Sequence, residues 1–119
     1  LDARYGHRMG VATTKPTLRA LRQIQVSGLA HHFHHVQGTD EGMTPKPHPD
    51  VIHRACAELE VDPRDVLMVG DTERDIHAAR RAGAFAIAVA YSDKHFERAK
   101  TFGADRVVRS LEEIVDFEL

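Results

Sequence analysis

Cysteine is nearly absent from this 119-residue chain: Cys56 stands alone, so no disulfide can form within it. That usage fits a reducing, cytoplasmic setting. With no catalytic motif around it, Cys56 is expected to fill a helix face rather than do chemistry. Long hydrophobic runs are missing too. Nothing approaches the roughly 20 apolar residues of a membrane-spanning helix, and no signal-peptide pattern opens the chain. Neither sign of charge dominates, with 16 Lys and Arg against 18 Asp and Glu. The sequence therefore carries no electrostatic footprint for nucleic acid or for an anionic membrane. An initiator methionine is also lacking. Leu1 begins a stretch, "LDARYGHR", that reads as a helix end leading into a strand, which suggests a fragment whose N-terminal part is missing or was removed.

What is present is ordinary for a globular protein: 42% hydrophobic and 29% charged residues, enough for one domain over residues 1–119 with a real core. Strand, turn and helix signals alternate along it. "RMGVAT" (8–13) reads as a short strand, followed by a helix beginning near Pro16, with Leu18, Leu21 and Ile24 inward and Gly28 at its end. "HHVQGTD" (34–40) reads as a weaker strand. The loop "EGMTPKPHP" leads into a helix with Ile52, Ala55, Cys56 and Leu59 at helical spacing. "VLMVGD" (66–71) is an unbroken apolar run of the kind buried on both faces. Thr72 starts a helix that Gly83 ends, "FAIAVAY" (85–91) is a further buried strand, and a helix over 93–102, a "DRVV" strand and a helix from Ser110 complete the pattern. Such alternation predicts an α/β fold with a mostly parallel sheet. In that class functional groups gather beyond the C-terminal ends of the strands, where this chain places Thr13, the loop to Lys46, and Asp71.

Each of these admits two readings. Asp71 directly follows a strand and a glycine, and with Asp75 it offers two hard oxygen ligands suited to Mg²⁺. Thr72 followed three residues later by Asp75 equally resembles a capping box, which would satisfy a helix N-terminus. Thr13 can present a hydroxyl and a backbone N–H to an anion, or Thr13 or Thr14 can simply cap the next helix. Lys46 can be a solvated loop lysine, or an ammonium aimed by the prolines flanking it. The nine histidines, four of them in "HHFHHV" (31–36), raise a metal question. His31, His32, His34 and His35 are the cluster. Adjacent strand residues point to opposite faces; His32 and His34 could share one, with no third ligand evident. A solvated or edge-strand cluster is expected.

Taken in order, a strand-end Thr, a Lys in K-P-x-P and then G-D-T-x-x-D resemble the haloacid dehalogenase-like hydrolase superfamily, in its phosphoglycolate-phosphatase-like branch. The resemblance runs from "GVATTKP" through "KPHPDVI" and "VGDTERDIHAARRAG" to "GADRVVRSLEEI". It implies a Rossmann-like three-layer α/β/α core and a Mg²⁺-dependent phosphatase acting on a small phosphorylated substrate. Thr13, with Thr14 beside it, would bind the transferring phosphoryl group. Lys46 would neutralise charge on nucleophile and phosphate, and Asp71 and Asp75 would hold Mg²⁺ directly or through water. Thr13, Lys46 and Asp71 would be the catalytic residues.

The family's first motif, an Asp-x-Asp pair whose first carboxylate attacks phosphorus, occurs nowhere in this sequence. Asp2 is no substitute, since it precedes the Thr13 strand in an apparent helix end. The helical cap that selects substrates would lie in the same absent stretch, so the chain resembles the C-terminal part of a hydrolase core and is expected to be inactive alone. In the family's sheet the missing strand lies between the Thr13 and Asp71 strands, which would leave two open inner edges. Three outcomes are expected: another chain fills the gap by strand pairing or homo-oligomer formation, the two strands close together, or an upstream segment supplies the strand. A dehalogenase, which needs no Mg²⁺, is disfavoured by the acid pair. A non-catalytic binding or regulatory domain is the remaining alternative. A phosphoacceptor receiver would place its acids before its Thr and Lys, the reverse of the order here.

Overall fold

The computed structural model describes residues 10–28, 33, 35–110 and 112–115. Asp2 and the cluster residues His31, His32 and His34 lie outside them. Within them the turn signals separate strands from helices much as the pattern predicts. The elements are β1 (Gly10–Ala12), α1 (Thr17–Ser27), β2 (His35–Gln37), α2 (Asp50–Glu58), a 3₁₀ turn (Pro63–Asp65), β3 (Leu67–Gly70), α3 (Glu73–Ala82), β4 (Phe85–Val89), α4 (Asp93–Ala99), β5 (Arg106–Val108) and α5 (Glu112–Val115). Among the described residues no helix is long and apolar enough to cross a membrane.

All strand pairs are parallel, as the sequence predicts, but they form two sheets. β1 pairs with β2, Val11 lying opposite Val36. β4 pairs with β3 on one side and β5 on the other, with Met68 opposite Ala86 and Ala88 opposite Val107. No ladder joins β1 to β3 among the described residues. Closure of these two strands onto one another, one of the expected outcomes for the gap, is therefore not what the chain adopts.

The core forms where β4 meets the helices. Ala86, Ala88 and Ala90 are fully buried and cluster with Val51, Ile52 and Cys56 of α2 and Ile76, Ala78 and Ala79 of α3. The opposite face gathers Ile87, Val89 and Val108, with Leu67, Val69 and Phe85 packed against them. Cys56 is a buried free thiol, as its helix-face reading predicts. Burial, and after it the Asp62 carboxylate, pushes its thiol up, which keeps it protonated and unreactive.

Five expectations need correcting. Leu18 and Leu21 do not supply an inward face to α1: they are 81% and 36% exposed, and Ala20 is the buried residue of that helix, because the two-stranded sheet it packs on covers little of it. β3 is only partly buried along its length, because it is the outer strand of its sheet; the fully apolar run reports the residue types but not what covers them. β2 is confined to His35–Gln37, and α4 ends at Ala99, short of residue 102. Neither Thr13 nor Thr14 caps α1. Pro16 occupies the N-cap without a side-chain bond. Asp40, from the loop after β2, caps the helix instead, its Oδ1 accepting from the Thr17 N–H at 2.8 Å and its Oδ2 from the Thr17 hydroxyl at 2.6 Å. These donors hold the Asp40 carboxyl below the usual carboxylate range.

Gly70 determines how closely α3 can follow β3. A Cβ placed there would lie 2.4 Å from the Cβ of Asp75, well inside contact distance. Only a residue without a side chain lets the first turn of α3 fold back over the strand end. Gly70→Ala should therefore cost about 1–3 kcal/mol, the range for forced overpacking. The expected reading is a lower urea midpoint at an unchanged m-value.

Candidate active site

A cleft of about 330 Å³ opens between the C-terminal ends of β1 and β3. Thr13, Thr14, Lys46, Asp71, Thr72, Arg74 and Asp75 line it, so the residues to which the family resemblance gives phosphate or metal roles come to one place. Strand ends deliver Thr13 and Asp71, and the first turn of α3 delivers Asp75. Lys46 arrives on the loop before α2, between Pro45 and Pro47.

Lys46 is not a solvated loop lysine. Its side chain is 7% exposed, and its Nζ donates to Asp75 Oδ1 at 2.7 Å and to the Ala12 carbonyl at 2.9 Å. An ammonium has three donors, so one remains after these two. Asp75 is largely buried as well, at 15% exposed. Its Oδ2 accepts from the Thr72 N–H at 3.2 Å and the Thr72 hydroxyl at 2.9 Å, while the Thr72 oxygen accepts from the Asp75 N–H at 3.2 Å. This is the capping box anticipated from the sequence. Burial opposes ionisation of Asp75, but the Lys46 ammonium and the Thr72 donors outweigh it and hold the carboxyl below the usual carboxylate range.

Asp71 differs. Its carboxylate makes no hydrogen bond or ion pair among the described residues, and it is exposed at the cleft wall. Its backbone carbonyl accepts from His95 Nε2 at 2.8 Å. Thr13 accepts the Lys15 N–H at its Oγ1, 3.3 Å away, which leaves the hydroxyl proton available. The β1 end is secured to β2 by Thr13 N–H to the Gln37 carbonyl and by the Thr39 hydroxyl to the Thr13 carbonyl.

The donor set fits a hard cation in part. No three His, Cys, Asp or Glu side chains converge on a metal position among the described residues. Mg²⁺, however, needs only one or two carboxylates, completing its shell with water and phosphate oxygens. Asp71 offers a free carboxylate for this. Asp75 has one unused lone pair on Oδ1, but it sits beside the Lys46 ammonium. It is thus better placed to hold Lys46 and to reach a cation through water.

Arg74, His95 and Asp40 escaped the sequence reading. Arg74 could have been noticed as a first-turn neighbour of Asp75. His95 and Asp40 carry no local signal, since their partners lie 24 and 23 residues away.

Against known proteins, the family model described as haloacid dehalogenase-like hydrolase matches residues 3–89. A phosphoglycolate phosphatase of Chromobacterium violaceum is 36% identical over 104 residues, which is 87% of this chain and 46% of that protein. A pyrophosphatase of Anoxybacillus flavithermus is 31% identical over 92% of this chain and 51% of its own length. Among solved structures, one described as a predicted phosphatase from Clostridium acetobutylicum superposes with a TM-score of 0.81 at 31% identity, covering 93% of this chain and 51% of that one. The chain therefore spans about half the length of the relatives it matches. Its Rossmann-like α/β architecture is theirs.

Because the folded Asp75 pKa lies below its unfolded value of about 3.9, the stabilisation from ionising Asp75 is present above that value and lost as pH falls through the folded pKa. Lys46→Met leaves the buried carboxylate without its ammonium and should cost about 3–5 kcal/mol at pH 7. Its Asp75 should then take up a proton at higher pH, so the deficit relative to wild type should shrink towards pH 4. Urea midpoints of both proteins across that range check this.

Proposed function

Since this chain belongs to the haloacid dehalogenase-like hydrolase family, we propose that it is the phosphate- and metal-holding part of a Mg²⁺-dependent phosphatase for small phosphomonoesters. The observation that carries this is a buried lysine fixed by Asp75, one donor left over, beside an unpartnered Asp71 carboxylate in the same cleft. Phosphoryl transfer asks mainly for positioning and charge stabilisation, and these groups supply both kinds.

In this reading Thr13 and Thr14 donate to oxygens of the transferring phosphoryl group, and the remaining N–H of Lys46 meets developing negative charge. Asp71 ligates Mg²⁺ directly. Asp75 holds Lys46 in place and touches the cation through water. Bound Mg²⁺ supplies neutralisation of the phosphoryl oxygens. The chain contains no Asp-x-Asp pair, so the carboxylate that attacks phosphorus comes from outside these residues. That carboxylate forms the aspartyl-phosphate as the alcohol leaves with a proton from a neighbouring acid, and water then hydrolyses the aspartyl-phosphate. The open sides of β1 and β3 can receive the strand bearing it, from the same protein or a second copy. The buried, unpaired Cys56 is in keeping with the cytoplasm as the place of action.

The full-length protein should hydrolyse 4-nitrophenyl phosphate only with Mg²⁺, and EDTA should abolish turnover. Asp71→Asn should lower kcat by about 10²–10³, the scale for losing a principal electrostatic group. The 119-residue chain alone should show no turnover. Metal-independent hydrolysis, or full activity in Asp71→Asn, would overturn the reading.

A further inference from the structure

Among the described residues the carboxylate of Asp71 has no side-chain partner, yet a cation ligand must be held in one direction to bind well. Its aim therefore has to come from its backbone. Asp71 sits between the end of β3 at Gly70 and the N-cap Thr72, outside both regular elements. The peptide unit that follows it joins the Asp71 carbonyl to the Thr72 N–H, and that unit is gripped at both ends. His95 Nε2 meets the carbonyl oxygen at 2.8 Å. Asp75 Oδ2 accepts from the N–H at 3.2 Å. A plane held at oxygen and nitrogen is restrained from rotating about the Asp71 Cα–C bond, which narrows the directions its Cα–Cβ bond can take.

The grip is itself anchored. A carbonyl only accepts, so the His95 Nε2 carries the proton. His95 belongs to the first turn of α4, where its own N–H donates to the Ser92 hydroxyl at 3.1 Å. Its ring lies 6.4 Å from the Phe102 ring, tilted by 54°. On the other side, Asp75 is tied to Lys46 at 2.7 Å. A continuous hydrogen-bonded series thus runs from Lys46 through Asp75 and the Asp71–Thr72 peptide to α4, and such series polarise one another.

We propose that His95 is a positioning residue for the cation site: by clamping the peptide after Asp71 it aims the Asp71 carboxylate into the cleft. This rests on the reading of Asp71 as a cation ligand. His95 does not touch phosphate or metal.

Two readouts test it on the full-length protein with wild type, His95→Ala, His95→Gln and Asp71→Asn. The first needs no metal: amide hydrogen exchange at Thr72. His95→Ala should speed it about tenfold while Ile87 and Ala88 keep their protection, and His95→Gln, whose side-chain amide reaches about as far as Nε2, should restore it. The second is Mn²⁺ binding by electron paramagnetic resonance, without substrate. His95→Ala should weaken it about five- to tenfold and His95→Gln should recover most of that. Unchanged Thr72 exchange in His95→Ala would overturn the proposal. So would faster exchange with undiminished Mn²⁺ affinity in a protein whose binding Asp71→Asn removes. If wild type binds no Mn²⁺, or Asp71→Asn binds it equally, the reading of Asp71 as the cation ligand falls instead, and the exchange arm alone decides the clamp.

Discussion

One buried ion pair links the parts of this molecule that no strand ladder connects. Lys46 reaches from its loop to the Ala12 carbonyl at the end of β1 and to Asp75 at the start of α3. β1 belongs to one sheet and α3 follows a strand of the other. Desolvating two charges is expensive, and a buried pair often returns no more than it costs. Here additional bonds offset the penalty: Lys46 has a second acceptor, and Asp75 has both donors of Thr72. Such an arrangement contributes less to stability than to geometry, because it ties three segments to one set of partners.

The same economy lets Asp75 cap its helix and hold Lys46 at once. A carboxylate in the first turn satisfies orphan N–H groups and suits the positive end of a helix whether or not a metal is near. Gly70 is what allows the two duties to share one residue, since it brings the first turn of α3 against the strand end. With Asp75 committed to Lys46 and Thr72, Asp71 is left as the carboxylate free to meet something from outside.

Much of this was readable from residue order. Apolar periodicity placed nearly every strand and helix, glycines at 28 and 83 ended α1 and α3 as anticipated, and Thr13, Lys46, Asp71 and Asp75 converge as their strand-end positions implied. The misses share a cause. Hydrophobic patterning reports which residues want cover, and says nothing of what provides it. β3 therefore read as buried on both faces when it is half-buried at an edge. The split between β1 and β3 followed from the strand that the family resemblance lacks here, not from any local window. Asp40 and His95 act on partners far along the chain, and no spacing rule connects a loop acid or a helix-borne histidine to them.

β4 and the residue after it lay a row of alanines, Ala86, Ala88 and Ala90, in one cluster with Ile76, Ala78 and Ala79 of α3. Methyl groups are the smallest side chains that still fill space, so this interface is already at its minimum thickness. Every replacement there other than glycine enlarges a side chain and presses on the helix. Lifting α3 carries Asp75 away from Lys46 by the same amount. A layer of the core outside the cleft thereby acts as a spacer gauge for the Lys46–Asp75 pair.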